Sequence, residues 1–158
     1  TNAASNASWL TLRGIHALGA IPASMAKTEL ELTPIDWCAQ AAVALRGAPL
    51  TVYHLQSPTP PTAEEVSRAV VPDLQVLPDP EFAALLNRAP VDLSGDLLAP
   101  LTDLWHRLNE TPPTITVDCS LTARQLEHSG FCVPIADPKR LLRAFRFASE
   151  ERLPGRRA

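Results

Sequence analysis

The chain has 158 residues, 46% hydrophobic and 20% charged, with 14 Lys and Arg against 17 Asp and Glu for a net charge of −3. A chain of this length and apolarity can bury enough surface to fold without a disulfide framework or a structural metal, which excludes the disordered and collagen-like classes. There is no run of about 18 apolar residues, no charged start with a long apolar stretch as in a signal peptide, and no Cys-x-x-Cys pair among the three cysteines, so a cytoplasmic chain with no membrane contact, disulfide scaffold or zinc site is expected.

Proline rather than glycine punctuates the sequence, 16 against 6, and many prolines should mark helix starts. From Ser8 to Leu18, Trp9, Leu12, Ile15, His16 and Leu18 fall near helical spacing, and Gly19 is a natural stop. Lys27 to Leu32 alternates acidic and apolar residues as a half-exposed strand does. Thr33-Pro34-Ile35-Asp36 then offers an N-cap hydroxyl, a proline at the first helical position and a carboxylate at the third. The helix it starts should run to about Arg46, with Ile35, Cys38, Ala39, Ala42, Val43 and Leu45 as its apolar side and Gly47 at its end.

Leu50 to Leu55 reads as a short strand that exits into a rigid loop at Pro58-Thr59-Pro60-Pro61. Thr62 and Glu65 make a capping box for a short helix to about Val71, and Asp73 to Leu77 is a further strand candidate. Asp79-Pro80-Glu81 should cap a third helix. A fourth runs from about Gly95 to Leu108, with Pro100 able to shift its start. Thr114 to Val117 is the last strand candidate. Thr122 with Gln125 should cap a helix stopped by Gly130, and Asp137-Pro138 should cap a C-terminal helix to about Leu153 that buries Leu141, Leu142, Phe145 and Ala148. No repeat or domain boundary is legible. The expectation is a single domain over 1–158, α+β, with about six helices and a few short strands, too few for a complete doubly wound sheet.

Local chemistry excludes more than it assigns. Gly14 to Gly19 lacks the Lys and Ser or Thr of a phosphate loop. The sole tyrosine, Tyr53, has Ser57 where a short-chain reductase would need Lys four residues on. The histidines, His16, His54, His106 and His128, are scattered, so no metal site is expected. Cys119 reads as a small buried residue after a strand, and Ser120 has no nucleophile elbow. No catalytic set is therefore expected in the chain. On the C-terminal helix, Lys139, Arg140, Arg143 and Arg146 concentrate positive charge. They form either a landing face for an acidic partner or a solvated helix face with cations suited to its C-terminus. Negative net charge and the lack of interleaved aromatics argue against nucleic acid.

The segment Glu-Leu-Glu-Leu-Thr-Pro-Ile-Asp-Trp-Cys-Ala-Gln-Ala, residues 29–41, resembles the C-terminal part of the thioester reductase domains of nonribosomal peptide and polyketide synthetases, in the extended short-chain dehydrogenase/reductase family. Gly14 to Pro22 is similar to the helix and turn ahead of that motif, and Tyr53 to Pro58 to the strand exit after it, with Gln56 and Ser57 departing from the commoner Val-Asn. Residues 118–122 and 134–147 are similar to the family's final strand and helix pair. The resemblance implies the substrate-side subdomain of an enzyme that uses NADPH to release a carrier-bound thioester as aldehyde or alcohol, with the cofactor and the Thr, Tyr and Lys catalytic set on a Rossmann half that this chain does not contain.

In that setting Ile21, Pro22, Met25, Gln56 and Pro58 would line the path of the phosphopantetheine arm and acyl group. Thr33, Asp36 and Trp37 would pack on the Rossmann half, Asp36 serving either as a cap of its own helix or as a substrate contact. Arg140, Arg143 and Arg146 would meet a phosphopantetheinylated carrier protein. The alternative, from another class, is a stand-alone docking or scaffolding module derived from a reductase. The two differ in one expectation: a reductase part has an exposed apolar patch, open to self-association, where the Rossmann half would sit.

Overall fold

The computed structural model describes residues 7–49, 52–57, 59–89, 97–110, 117–131 and 137–150. In chain order its elements are α1 (Ala7–Leu18), β1 (Ala20–Pro22), α2 (Ala23–Ala26), α3 (Ile35–Ala44), α4 (Ala63–Val70), β2 (Gln75–Leu77), α5 (Asp79–Asn87), α6 (Ala99–Glu110), α7 (Ser120–His128) and α8 (Pro138–Glu150). This is the mixed α+β architecture expected, with eight helices among the described residues rather than about six. The one-turn α2 has no sequence signal of its own. Where the sequence shows no boundary, contacts divide the chain into two compact units, one formed by residues 1–28, 62–113 and 137–158 and the other by residues 29–61 and 114–136.

In the first unit α1 ends at Gly19, whose φ of +65° is the left-handed stop that glycine tolerates. The chain turns directly into β1, which pairs in parallel with β2 in the register Ala20 to Gln75, Ile21 to Val76 and Pro22 to Leu77. α1 crosses α6 at Gly14, where a Cβ would lie 3.1 Å from both the Leu97 carbonyl oxygen and Leu101 Cβ. Glycine is needed here for closeness of approach. The core joins Leu12 and Ile15 of α1, Ile21, Met25, Val66, Val70, Phe82, Leu101 and Trp105, with Phe145 of α8 also buried. Phe82 meets Trp105 edge to face, centroids 5.2 Å apart.

The Thr62 capping box is present in full. The Thr62 hydroxyl accepts the Glu65 amide at 3.2 Å and the Glu65 carboxylate accepts the Thr62 amide at 2.8 Å. Asp137 likewise caps α8, accepting the Lys139 amide at 3.0 Å. Phe145 is buried and Leu141 and Leu142 are half-buried as expected, while Ala148 and residues beyond Glu150 lie outside what is described. α6 starts at Ala99 rather than about Gly95, with Pro100 in its first turn; residues 90–96 are outside the described set.

In the second unit α3 and α7 build a core of Trp37, Ala41, Leu45 and Leu126, against which Cys38, Tyr53, Leu55 and Phe131 are packed. Trp37 and Phe131 lie with ring centroids 6.1 Å apart. Gly47 (φ +85°) and Gly130 (φ +71°) end the two helices, as their positions in the sequence suggest.

Three sequence expectations are corrected. Lys27 to Leu32 carries an isolated bridge at Glu29 but no strand. Leu30 donates its amide to the Pro61 carbonyl at 2.8 Å, and Pro61 has no N–H with which to extend a ladder. Val52 to Leu55 is in no strand among the described residues, the His54 amide being taken by the Thr122 hydroxyl at 3.1 Å. Thr122 therefore caps no helix: α7 begins two residues earlier at Ser120, whose amide is accepted by Asp118 at 2.8 Å. Val117 is in no strand, and Leu50, Thr51 and residues 114–116 are outside the described residues.

Candidate functional site

The sequence motif at the start of α3 folds differently from a simple capping box. Pro34 takes the N-cap position and makes no side-chain cap. The Thr33 hydroxyl instead donates to the Glu31 carboxylate and accepts the Ser57 amide at 3.1 Å. One side chain thus ties the turn at Ser57 to the entry of α3. Next to it, Cys38 Sγ lies 3.9 Å from the Leu55 carbonyl oxygen, and Cys119 Sγ lies 4.0 Å from Gln56 Oε1 and 3.6 Å from the Val117 carbonyl oxygen. The segment from His54 to Ser57 is therefore held from both sides, by the α3 entry and by the α7 entry. Gln56 and Ser57 sit half-buried within it.

Of the residues expected to pack between domains, Thr33 is half-buried, Asp36 is exposed in the first turn of α3, and Trp37 is 6% exposed. The Trp37 indole belongs to the core of its own unit, and only Asp36 of the three is exposed. Ile21, Pro22 and Met25 lie in β1 and α2 of the first unit. All three are fully buried there. Gln56 is half-buried. Pro58 is outside the described residues.

The first unit holds a polar node that the sequence did not announce. Asp79 was expected to cap its own helix, but Pro78 occupies that position and Asp79 is the first residue of α5. Its carboxylate accepts the Ser24 amide at 3.1 Å, capping α2 from across the chain, and the Trp105 indole N–H at 3.3 Å. The same indole N–H lies 3.1 Å from Ser24 Oγ. The signal was present only as a Pro-Asp-Pro run, which fits either use.

Burial works against the charge of Asp79, but the Ser24 hydroxyl and amide, Trp105 and Asn109 outweigh it and hold the carboxyl below its ordinary value of 3.8. The amide and hydroxyl of Ser120, aided by Arg124, hold Asp118 low, and the amide and hydroxyl of Thr62 do so for Glu65. These carboxylates stay ionised as structural acceptors at helix starts, and none is poised as a general acid near neutral pH. Among the described residues no three His, Cys, Asp or Glu side chains converge as metal ligands, and no helix is long and apolar enough to cross a membrane.

A dinucleotide finds no cradle in the one glycine-bearing segment that resembles one. Gly14 is filled from the far side by α6, and Gly19 leads from a helix into a strand, the reverse of the strand-to-helix turn that aims free amides at phosphates. On α8, Lys139, Arg140, Arg143 and Arg146 are all exposed. The three arginines recur at three-residue steps and share one side of the helix.

No protein-family profile matches the chain, and no curated protein matches it either. Its fold does match solved structures. A thiolation-reductase di-domain from an archaeal non-ribosomal peptide synthetase superposes with a TM-score of 0.74 and 21% identity over 96% of this chain and 32% of its own. The reductase domain of the aureusimine biosynthetic cluster superposes with a TM-score of 0.76 and 19% identity over 93% of this chain and 38% of its own. The chain thus has the α+β fold of part of a reductase domain, and spans only 32% and 38% of the two reductase chains it matches.

Proposed function

We propose that the chain is the substrate-side, carrier-facing part of an NADPH-dependent thioester reductase that releases a carrier-bound peptide or polyketide as an aldehyde or alcohol. The observation that carries this reading is the superposition of nearly the whole chain on part of the thiolation-reductase di-domain and of the aureusimine reductase domain, joined to the motif at residues 29–41. Hydride chemistry is assigned to the remainder of the enzyme, because the described residues offer no dinucleotide cradle. The part played by this chain is to position the thioester and keep water from it. Gln56 and Ser57, held between the entries of α3 and α7, supply a fixed polar edge for the pantetheinyl amides. Arg140, Arg143 and Arg146 supply the positive face that steers an acidic carrier protein.

The test joins this chain to the polypeptide encoded directly ahead of Thr1 in its natural gene and follows NADPH consumption with an acyl-phosphopantetheinyl carrier. The joined protein should consume NADPH and the chain alone should not. A joined protein that oxidises no NADPH would remove the reading. Reversing charge at Arg140 and Arg143 should weaken carrier affinity at low salt, and an unchanged affinity would remove the carrier-docking role.

A further inference from the structure

α5 and α6 enclose between them a cavity of about 630 Å³, within the range of roughly 300–1,000 Å³ usual for small-molecule sites. From α5 it takes Leu86 and Asn87, and from α6 Thr102, Asp103, Trp105 and His106, with Leu98 just ahead of that helix. Leu98 is 5% exposed and Trp105 7%, so the apolar wall is part of the core of the first unit. The His106 ring stacks on Trp105, centroids 5.3 Å apart, and carries the aromatic surface out to solvent, where His106 is exposed. Space is left because Ala83 and Ala99 stand where larger side chains would close it.

The polar edge of the cavity accepts hydrogen bonds. Thr102 gives its hydroxyl proton to the Leu98 carbonyl at 3.0 Å, so it offers a ligand only lone pairs. The Asp103 carboxylate cannot donate when ionised. Its Oδ2 holds Arg107 at 2.7 Å, and a carboxylate keeps acceptor capacity beyond one such pair. Neither lysine nor arginine is among the described residues that line the space. An anion placed here would face Asp103 with no lining cation to receive it, whereas a charged donor head on an apolar body meets both of its needs.

We infer that this cavity binds a small organic ammonium ion, its apolar body against Leu86, Leu98 and the Trp105–His106 pair and its N–H groups toward Asp103 and Thr102. The inference goes beyond the proposed function and does not rest on it, because every residue it uses belongs to the first unit and none to the reductase motif.

The experiment titrates the nitrogen-15-labelled chain with octylammonium, octanol and octanoate, three probes with one alkyl chain and different heads, and follows the backbone amide signals. Octylammonium should saturate shifts confined to residues around 83–87 and 98–106, bind at least about fivefold more tightly than octanol, and leave octanoate the weakest. Asp103→Asn, at a side chain 66% exposed, should erase the advantage of octylammonium over octanol without changing octanol itself. Arg107→Gln removes the competitor for that carboxylate and should strengthen octylammonium. Ala99→Trp fills the space from an exposed helix position and should abolish binding of both. Equal affinity for octylammonium and octanol, tighter octanoate, wild-type octylammonium affinity in Asp103→Asn, or shifts elsewhere than α5 and α6 each overturn the assignment, as does the absence of binding. A capped Leu-Lys-Leu tripeptide that binds more tightly than octylammonium makes the cavity a peptide site and overturns it likewise.

Discussion

Trp105 and Asp79 are joined by a hydrogen bond of 3.3 Å from indole to carboxylate, and the same carboxylate receives the Ser24 amide at 3.1 Å. A single acidic side chain thus fixes the start of α2 and the orientation of the largest aromatic in α6. Asp79→Ala should cost about 1–2 kcal/mol, the loss of a helix cap and a charge-assisted bond. The check is the urea midpoint, together with a change in tryptophan fluorescence.

The same residue gives a pH dependence with a defined sign. Its folded-state pKa lies below the ordinary 3.8, so its contribution to stability is fully present above the unfolded value and is lost as pH falls through the folded one. The stability difference between wild type and Asp79→Asn should therefore narrow as pH is lowered from about 6 to about 2, in midpoints measured across that range. A difference that widens on acidification would contradict the assignment.

Gly14 is a contact point between helices. A Cβ there would stand 3.1 Å from a backbone oxygen of the Leu97 turn, which cannot swing aside as a side chain would. Gly14→Val should destabilise by about 1–3 kcal/mol despite relieving the poor helix propensity of glycine. Thermal unfolding of the two proteins decides it.

Ser67 sits fully buried on α4, and among the described residues its hydroxyl has no hydrogen-bond partner. Removing that oxygen removes an unpaid desolvation penalty and improves helix propensity, so Ser67→Ala should raise stability by about 1 kcal/mol. A loss of stability of that size in urea unfolding would mean that the hydroxyl is partnered in solution.

Trp37 is the largest side chain in the core of the second unit, at 6% exposure against Phe131, Ala41 and Leu45. Trp37→Ala should cost about 3–5 kcal/mol, and amide exchange should speed up across α3 and α7 before it does in α1 and α6.

What could be read from the sequence was decided by how local its causes are. Thr62 with Glu65, Asp137 with Pro138, and the stops at Gly19, Gly47 and Gly130 are settled within a few residues, and each reads correctly. Thr33, Asp79 and Thr122 carry equally good capping chemistry, yet each spends its oxygen on another segment: Ser57, Ser24 and His54. A residue with two possible partners cannot be assigned from spacing alone. Burial was the other blind spot. The Ile-Pro and Met around positions 21–25 belong to a segment that reads as loop, and only the parallel pairing of β1 with β2 reveals that they are interior. For α3 the sequence shows that apolar residues are spread around the helix, but which of them remain uncovered becomes visible only once Trp37 and Leu45 are seen to take the inner face.

Both compact units are assembled from separated stretches of chain, the second from residues 29–61 and 114–136 and the first from the three stretches around them. No single cut in the polypeptide releases either one whole. A truncation series would remove pieces of both at once, and ribosomal synthesis cannot complete the second unit before most of the first has emerged. Each therefore closes long intervening segments before its own contacts are rewarded. Fragment expression should be a poor route to either unit, whereas circular permutants that rejoin the two stretches of the second unit into one would test whether it holds together by itself.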